Sequence, residues 1–273
     1  MKAANFDYTC PDDINQALSS LAGAQGAAKL IAGGQSLGPM LNLRLVRPGL
    51  LVDISRLAEL RRVEDQGAQI FIGAGVTHAE IEDGMVKSHP MLQQVAAGIA
   101  YRAIRNRGTI GGSLAHADPA ADWLLVFATL GASVSILGSK GRRNIPAADF
   151  MQAAFTTSLG EEELIEGVVV PRLSDQARWG FYKICRKTGE FPTASAAVLL
   201  DPPRRTHCIY AGALDGTPQS LFSLTQRVAN EGAGAATSDT VAAALAAIMP
   251  AMDAARRNLH AMAVLRALEK AFA

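Results

Sequence analysis

The sequence predicts an α+β protein in which a β-α-β first lobe and a more mixed second lobe precede a small antiparallel sheet with a helical tail. Three observations carry this. Two stretches with adjacent glycines, AGGQSL (residues 32–37) and TIGGSLAHADPAAD (109–122), each interrupt a patterned segment. Short apolar runs alternate with helical periods up to Pro171, where PRLSDQ (171–176) reads as a linker. Beyond it, three strand-like runs follow one another before an Ala-rich tail. A chain of 273 residues suits two or three units of ordinary domain size. The boundaries fall at 1–172, with lobes of about 1–56 and 57–172, and at 178–273.

In chain order, a short helix follows Pro11, with Asp12 as its cap and Ile14, Ala17, Leu18 and Leu21 on one face. A strand at 29–32 ends in the first glycine motif, and the run at 50–54 is a second, buried strand. Residues 69–74 alternate as a strand, 77–83 start a short helix and 91–100 form a longer one. After the second glycine motif, 119–130 has the period of a buried helix, with Leu124, Leu125, Phe127, Ala128 and Leu130 available to a core and Asp118 as cap. Strands are expected at 132–137 and 163–170. The C-terminal part offers strands at 179–186, 194–200 and 207–214, turned at Pro202-Pro203, which makes a three-stranded antiparallel sheet. The tail from Leu221 is helical, broken at Gly232-Ala233-Gly234 and Pro250, and packs on that sheet.

Composition excludes several function classes. Net charge is +1, with 26 basic residues scattered among 25 acidic ones, so no concentrated basic face for nucleic acid is expected. Residues 1–13 contain no apolar signal core, and no stretch reaches the roughly 18 apolar residues of a membrane helix. A cytoplasmic protein without a membrane span is expected. The cysteines, Cys10, Cys185 and Cys208, are too few and too widely spaced for a disulfide framework or a four-thiolate cluster. The five histidines contain no H-x-x-x-H pair, so no metal site is expected within the chain. An apolar fraction of 49% with only 5% aromatics fits a surface partly covered by partners.

Adjacent glycines permit positive φ and leave backbone N–H groups open to a pyrophosphate. Neither pair has the G-x-G-x-x-G spacing or a P-loop lysine, so a nucleotide here implies another fold. Alone, AGGQS reads as a tight strand-to-helix turn, and it is the second motif that turns the reading toward a dinucleotide.

The wording around both motifs resembles the FAD-binding medium subunit of the molybdenum hydroxylases, the carbon monoxide and xanthine dehydrogenase family. The resemblance lies in AGGQSLGPMLNLRLVRPGLLVDIS (32–55), IRNRGTIGGSLAHADPAADW (104–123), EELIEGVVVP (162–171) and FYKICRKTGEFPTASAAV (181–198). It reaches to about residue 200. Beyond that point only the length, the three strands and the helical tail agree.

The resemblance implies a two-lobed FAD-binding domain of the PCMH or vanillyl-alcohol-oxidase type, followed by a small α+β domain. It implies noncovalent FAD, wrapped by Ile31, Ala32, Gly33, Gly34, Gln35, Ser36 and Leu37, with Ala100 nearby and Thr109, Ile110, Gly111, Gly112 and Ser113 adding backbone and hydroxyl contacts. Asp122 would bond a cofactor hydroxyl with Asp118 assisting, Ile165 would cover the ring, and Lys183 would stabilise negative charge on the reduced ring. No residue here is implied to be catalytic toward an organic substrate. The implied partners are a small subunit with two [2Fe–2S] clusters and a large molybdopterin subunit, assembled as a dimer of heterotrimers.

Other readings stand beside these. Lys183 also reads as a strand-edge surface lysine, and Asp122 as a plain helix-face carboxylate. His116 suits a hydrogen bond in the loop better than general-base work. Arg102, Arg105 and Arg107 read as facing water or a partner rather than FAD phosphates. Phe191 stands where carbon monoxide dehydrogenase has a tyrosine, so a hydrogen bond from that position is lost. A self-contained flavin oxidase and a redox-inactive nucleotide-binding scaffold are the rival functions.

Overall fold

The computed structural model describes residues 2–273. The first lobe is a parallel three-stranded sheet with Leu50–Asp53 in the centre, flanked by Asp7–Thr9 and Ala28–Ile31. Register pairs Ile31 with Asp53, so the chain leaves for the first glycine motif from the same edge that carries Asp53. The helix Ile14–Gly23 turns Ile14 and Ala17 onto this sheet, because positions three and four apart share a face. Its cap is Asp13 rather than Asp12: the Gln16 N–H donates to Asp13 Oδ1 at 2.8 Å, while the Gln16 side chain accepts from the Asp12 N–H. The helix starts one residue later than expected, and the cap moves with it.

The second lobe is a five-stranded antiparallel sheet in the order Val63–Asp65, Gln69–Gly73, Glu163–Pro171, Ser133–Gly138, Gly141–Pro146. The last strand was unforeseen because GRRNIP lies at an exposed edge and is polar almost throughout. Helices Pro90–Ala97, Ile110–His116 and Asp122–Thr129 share its core. Every residue of Asp122–Thr129 is buried, which its near-continuous apolar sequence requires. This helix does not begin at Pro119, and Asp118 does not cap it. Asp118 Oδ1 instead accepts from the Ala120 N–H at 2.9 Å, closing a turn that re-aims the chain before the helix.

The C-terminal sheet runs Arg178–Ile184, Ala194–Asp201, Thr206–Gly212 and Gln219–Ser220, all antiparallel. It has four strands rather than three; a two-residue strand has no periodicity to read. Alternation along the buried central strand decides how this sheet is placed. Ala194, Ala196, Val198 and Leu200 join a core with helices Phe222–Glu231, Ser238–Ile248 and Ala254–Phe272. Ala197 and Leu199, with Phe181 on the next strand, join the second-lobe core. The sheet is thus packed between its own helices and the helix Asp122–Thr129. Among the described residues no helix is long and apolar enough to cross a membrane.

The connecting segment after Pro171 is tied down by Asp201, which is fully buried and accepts from the Ser174 N–H at 2.9 Å and the Ser174 hydroxyl at 2.5 Å. Asp201→Ala strips both acceptors and is expected to cost roughly 1–3 kcal/mol in denaturant unfolding. Ser174→Ala keeps the backbone bond and should cost clearly less; equal losses would show that the hydroxyl alone matters.

Candidate functional site

The first glycine motif follows the strand Ala28–Ile31 and precedes the short helix Leu37–Asn42. Gly34 takes φ +71°, a conformation that side chains rarely adopt. Gln35 Nε2 donates to the Gly33 carbonyl at 3.0 Å, holding the turn. Ser36 stands at the helix start without capping it. Among the described residues, the N–H groups of Gly33, Gly34, Gln35 and Ser36 donate to no acceptor in the chain. Consecutive free N–H groups in a turn form a concave receptor for an anion.

The second motif is built differently. The Ile110 N–H donates to the Val76 carbonyl at 3.0 Å, Gly111 to Ala74 at 2.8 Å, and Ser113 to Thr109 at 3.0 Å. Thr109 caps the helix Ile110–His116 by accepting from the Gly112 N–H at 3.0 Å. The expectation of open donors at the second glycine pair is therefore corrected, since these N–H groups are already committed within the chain. Gly111 is required by contact, because a Cβ there would lie 2.9 Å from the Ala74 carbonyl oxygen. Ala74 in turn donates to the Glu166 carbonyl at 2.9 Å, beside the bulge that follows Ile165. Ile165 and the second motif are thus held through one residue, Ala74.

The two motifs meet. A Cβ on Gly33 would drive into the Arg107 carbonyl and approach Gly108 Cα to 2.9 Å. The first glycine loop seats directly on the chain that opens the second.

Asp122 and Lys183, each singled out separately from sequence, meet where the C-terminal sheet packs on the helix Asp122–Thr129. Lys183 shares the face of its strand with Phe181, toward the second lobe, and its Nζ donates to Asp122 Oδ2 at 2.6 Å. The two side chains are 13% and 6% exposed, so Lys183 is no surface lysine. Burial pushes the Asp122 carboxyl above the ordinary range, and the Lys183 ammonium opposes that shift. Asp122 Oδ1 is buried and has no partner. Ala100 sits at φ +43° beside Gly189 of the C-terminal sheet's first turn. Asp118 stays in its own turn and meets none of the other predicted residues through its side chain. His116 lies against the Phe155 ring, 5.2 Å between centroids.

The arginine cluster divides. Arg105 pairs with Glu82, and Arg102 with Glu82 and Asp83, so both serve local structure. Arg107 has no ion pair among the described residues and lies near Asp53 at the edge of the first lobe. Ala74, His78 and Trp123, which frame the second motif, were not singled out from sequence. The signal available was Thr77-x-x-Glu80, a capping box that the structure forms.

Gly33→Ala is expected to destabilise the chain by roughly 1–3 kcal/mol, because backbone rather than a mobile side chain must give way. Gly38→Ala, with nothing within 4 Å of its Cβ position, should be neutral or stabilising by up to about 1 kcal/mol. Denaturant midpoints of the two variants test this directly.

Comparison with known proteins identifies the family. The family described as FAD binding domain in molybdopterin dehydrogenase matches residues 4–173. The 6-hydroxypseudooxynicotine dehydrogenase complex subunit alpha of Paenarthrobacter nicotinovorans is 40% identical over 76% of this chain and 71% of its own. The carbon monoxide dehydrogenase medium chain of Hydrogenophaga pseudoflava is 36% identical, over 71% and 69%. Among solved structures, quinoline 2-oxidoreductase from Pseudomonas putida 86 has a TM-score of 0.88 at 32% identity, covering 99% of this chain and 98% of that one. Reconstituted CO dehydrogenase from Oligotropha carboxidovorans has a TM-score of 0.91 at 29% identity, covering 99% of each chain. The structural likeness therefore extends past residue 200 through the rest of the C-terminal sheet and its helices, where the sequence carries no motif. The chain belongs to the FAD-binding domain family of the molybdopterin dehydrogenases, as an FAD-binding medium subunit of these oxidoreductases.

Proposed function

We propose that this chain carries electrons in a heterotrimeric molybdenum hydroxylase, receiving them from [2Fe–2S] clusters of a small subunit and passing them to an external acceptor. A large molybdopterin subunit would oxidise the substrate, the complex would be a cytoplasmic dimer of heterotrimers, and residues 1–172 would form the FAD-binding unit with 178–273 as its companion. The single observation that carries the site assignment is the run of free N–H donors from Gly33 to Ser36.

The residues fit FAD. Gly33, Gly34, Gln35 and Ser36 would donate to the pyrophosphate, with Ile31, Ala32 and Leu37 shaping the loop's flanks. Thr109, Ile110, Gly111, Gly112 and Ser113 would form a fixed wall, the N–H groups from Ile110 to Ser113 already committed within the chain, with the Thr109 and Ser113 hydroxyl protons left to be donated to the cofactor. Asp122 offers the unpartnered Oδ1 to a cofactor hydroxyl, while Oδ2 stays with Lys183. Lys183 favours the ionised carboxylate in a site where burial favours its neutral form, and opposes the upward shift that burial causes. Its charge, so placed, also favours an electron-rich neighbour in the seam. Ala100 and Ile165 would pack against the ring system. When bound, FAD supplies a carrier that exchanges electrons singly with iron–sulfur centres and in pairs with an acceptor.

Material purified from its native cells should be yellow-brown, release FAD on denaturation and contain two further chains, one cysteine-rich and one bearing molybdenum. A colourless lone chain would overturn the proposal. Lys183→Met should cost roughly 3–5 kcal/mol by leaving a buried carboxylate unpaired, and should weaken FAD retention as well as shift its potential. Asp122→Asn with Lys183→Met should recover part of the stability; a double variant as unstable as the sum of the singles would show that the pair is not coupled.

A further inference from the structure

His78 is 6% exposed and lies beneath the second glycine motif. Trp123 Nε1 donates to its Nδ1 at 3.1 Å. An indole N–H can only donate, so Nδ1 must be bare, and the neutral ring carries its proton on Nε2. The opposite edge of the ring supports Gly108: a Cβ on that glycine would fall 2.8 Å from His78 Cδ2 and 2.9 Å from Nε2. The backbone repeats the connection, the His78 N–H donating to the Gly108 carbonyl at 2.9 Å. Gly33 in turn packs against the Arg107 carbonyl and Gly108 Cα. Trp123, His78, Gly108 and Gly33 thus form one continuous stack from the core to the free N–H groups of the first loop.

We propose that His78 is a positioning residue, locked by Trp123 as the Nε2-protonated neutral tautomer, which sets the spacing of the two glycine loops and so controls FAD retention. This rests on the assignment of the loops to FAD. A proton added at Nδ1 would set N–H against the indole N–H, donor against donor. The ring would have to turn, and Gly108 would lose its support.

The surroundings favour the neutral ring. Burial, and then the field of Arg105, push its pKa from 6.5 down to about 4. From its own helix, Glu80 is bound to Thr77 and Arg61, and Glu82 to Arg102 and Arg105. From the helix Asp122–Thr129, Asp122 is taken by Lys183. Arg107, in the segment that opens the second motif, is a cation. Among the described residues no carboxylate bonds the imidazole. Because the unfolded chain takes up this proton near pH 6.5 and the folded one resists it to about 4, the stabilisation is fully present above 6.5. It is lost as pH falls through that interval.

The test follows FAD release from the intact complex between pH 8 and 4, together with the ring-nitrogen shifts of the histidine-15N-labelled full chain. The wild type should hold FAD at neutral pH and release it as pH falls toward about 4, with His78 read as the Nε2–H tautomer throughout the bound range. Trp123→Phe keeps the ring against Phe127, now 5.2 Å between centroids, but removes the indole N–H. It should mix the tautomers and raise the release midpoint by roughly one pH unit. His78→Gln can still accept from Trp123 and does not titrate, so its release profile should flatten over this interval. Superimposable release profiles for the wild type, Trp123→Phe and His78→Gln overturn this inference alone, as does an Nδ1–H tautomer. A wild-type complex without FAD at any pH overturns the functional reading as well. Should His78→Gln fail to fold, Trp123→Phe and the nitrogen shifts still decide.

Discussion

The close approach of Gly33 to the backbone of Arg107 and Gly108 is the constraint on which the rest of the site depends. No side chain fits between them, so two loops from different lobes share one surface. The segment from Ala74 to His78 makes this contact rigid. It takes the N–H groups of Ile110 and Gly111 into its own carbonyls and gives the His78 N–H to Gly108. The second motif is therefore a committed wall, and the first retains the donors. This division gives the glycines different physical reasons. Gly33 and Gly111 answer to the chain's own crowding, whereas Gly34 answers to its positive φ.

The C-terminal sheet completes the arrangement through strand alternation. One set of side chains binds the three C-terminal helices and the other binds the second lobe, so that Lys183 is delivered to Asp122. An ion pair this dry is costly to form. It is held here with one carboxylate oxygen left over, an arrangement better suited to receiving a ligand donor than to maximising stability. Fixing the seam between the domains and presenting an acceptor are then consequences of the same pair.

Much of this was legible in the sequence where periodicity or special residues were dense. The two glycine motifs, the buried helix after Asp118, the strand ending at Pro171 and the helical tail follow from pattern alone. The family resemblance supplied Asp122 and Lys183. What sequence did not show is which backbone donors are free, because that depends on carbonyls thirty-odd residues away, at Ala74 and Val76. Nor did it show that Asp122 and Lys183 bind each other, since their meeting is decided by the packing of one sheet on one helix. The exposed strand Gly141–Pro146 and the two-residue strand Gln219–Ser220 carry no hydrophobic alternation. The expected caps moved for local reasons: Asp13, one residue nearer the helix than Asp12, accepts from the Gln16 N–H, and Asp118 accepts from the Ala120 N–H within its own turn.

The most direct test of the central claim compares FAD, FMN and riboflavin as ligands of the FAD-depleted protein by calorimetric or fluorescence titration. If the free N–H groups of the first loop hold a pyrophosphate, FAD should bind more tightly than riboflavin by a hundredfold or more, about 3 kcal/mol, with FMN between them. Riboflavin binding as tightly as FAD would contradict the account, because the loop would then contribute nothing to the cofactor's grip.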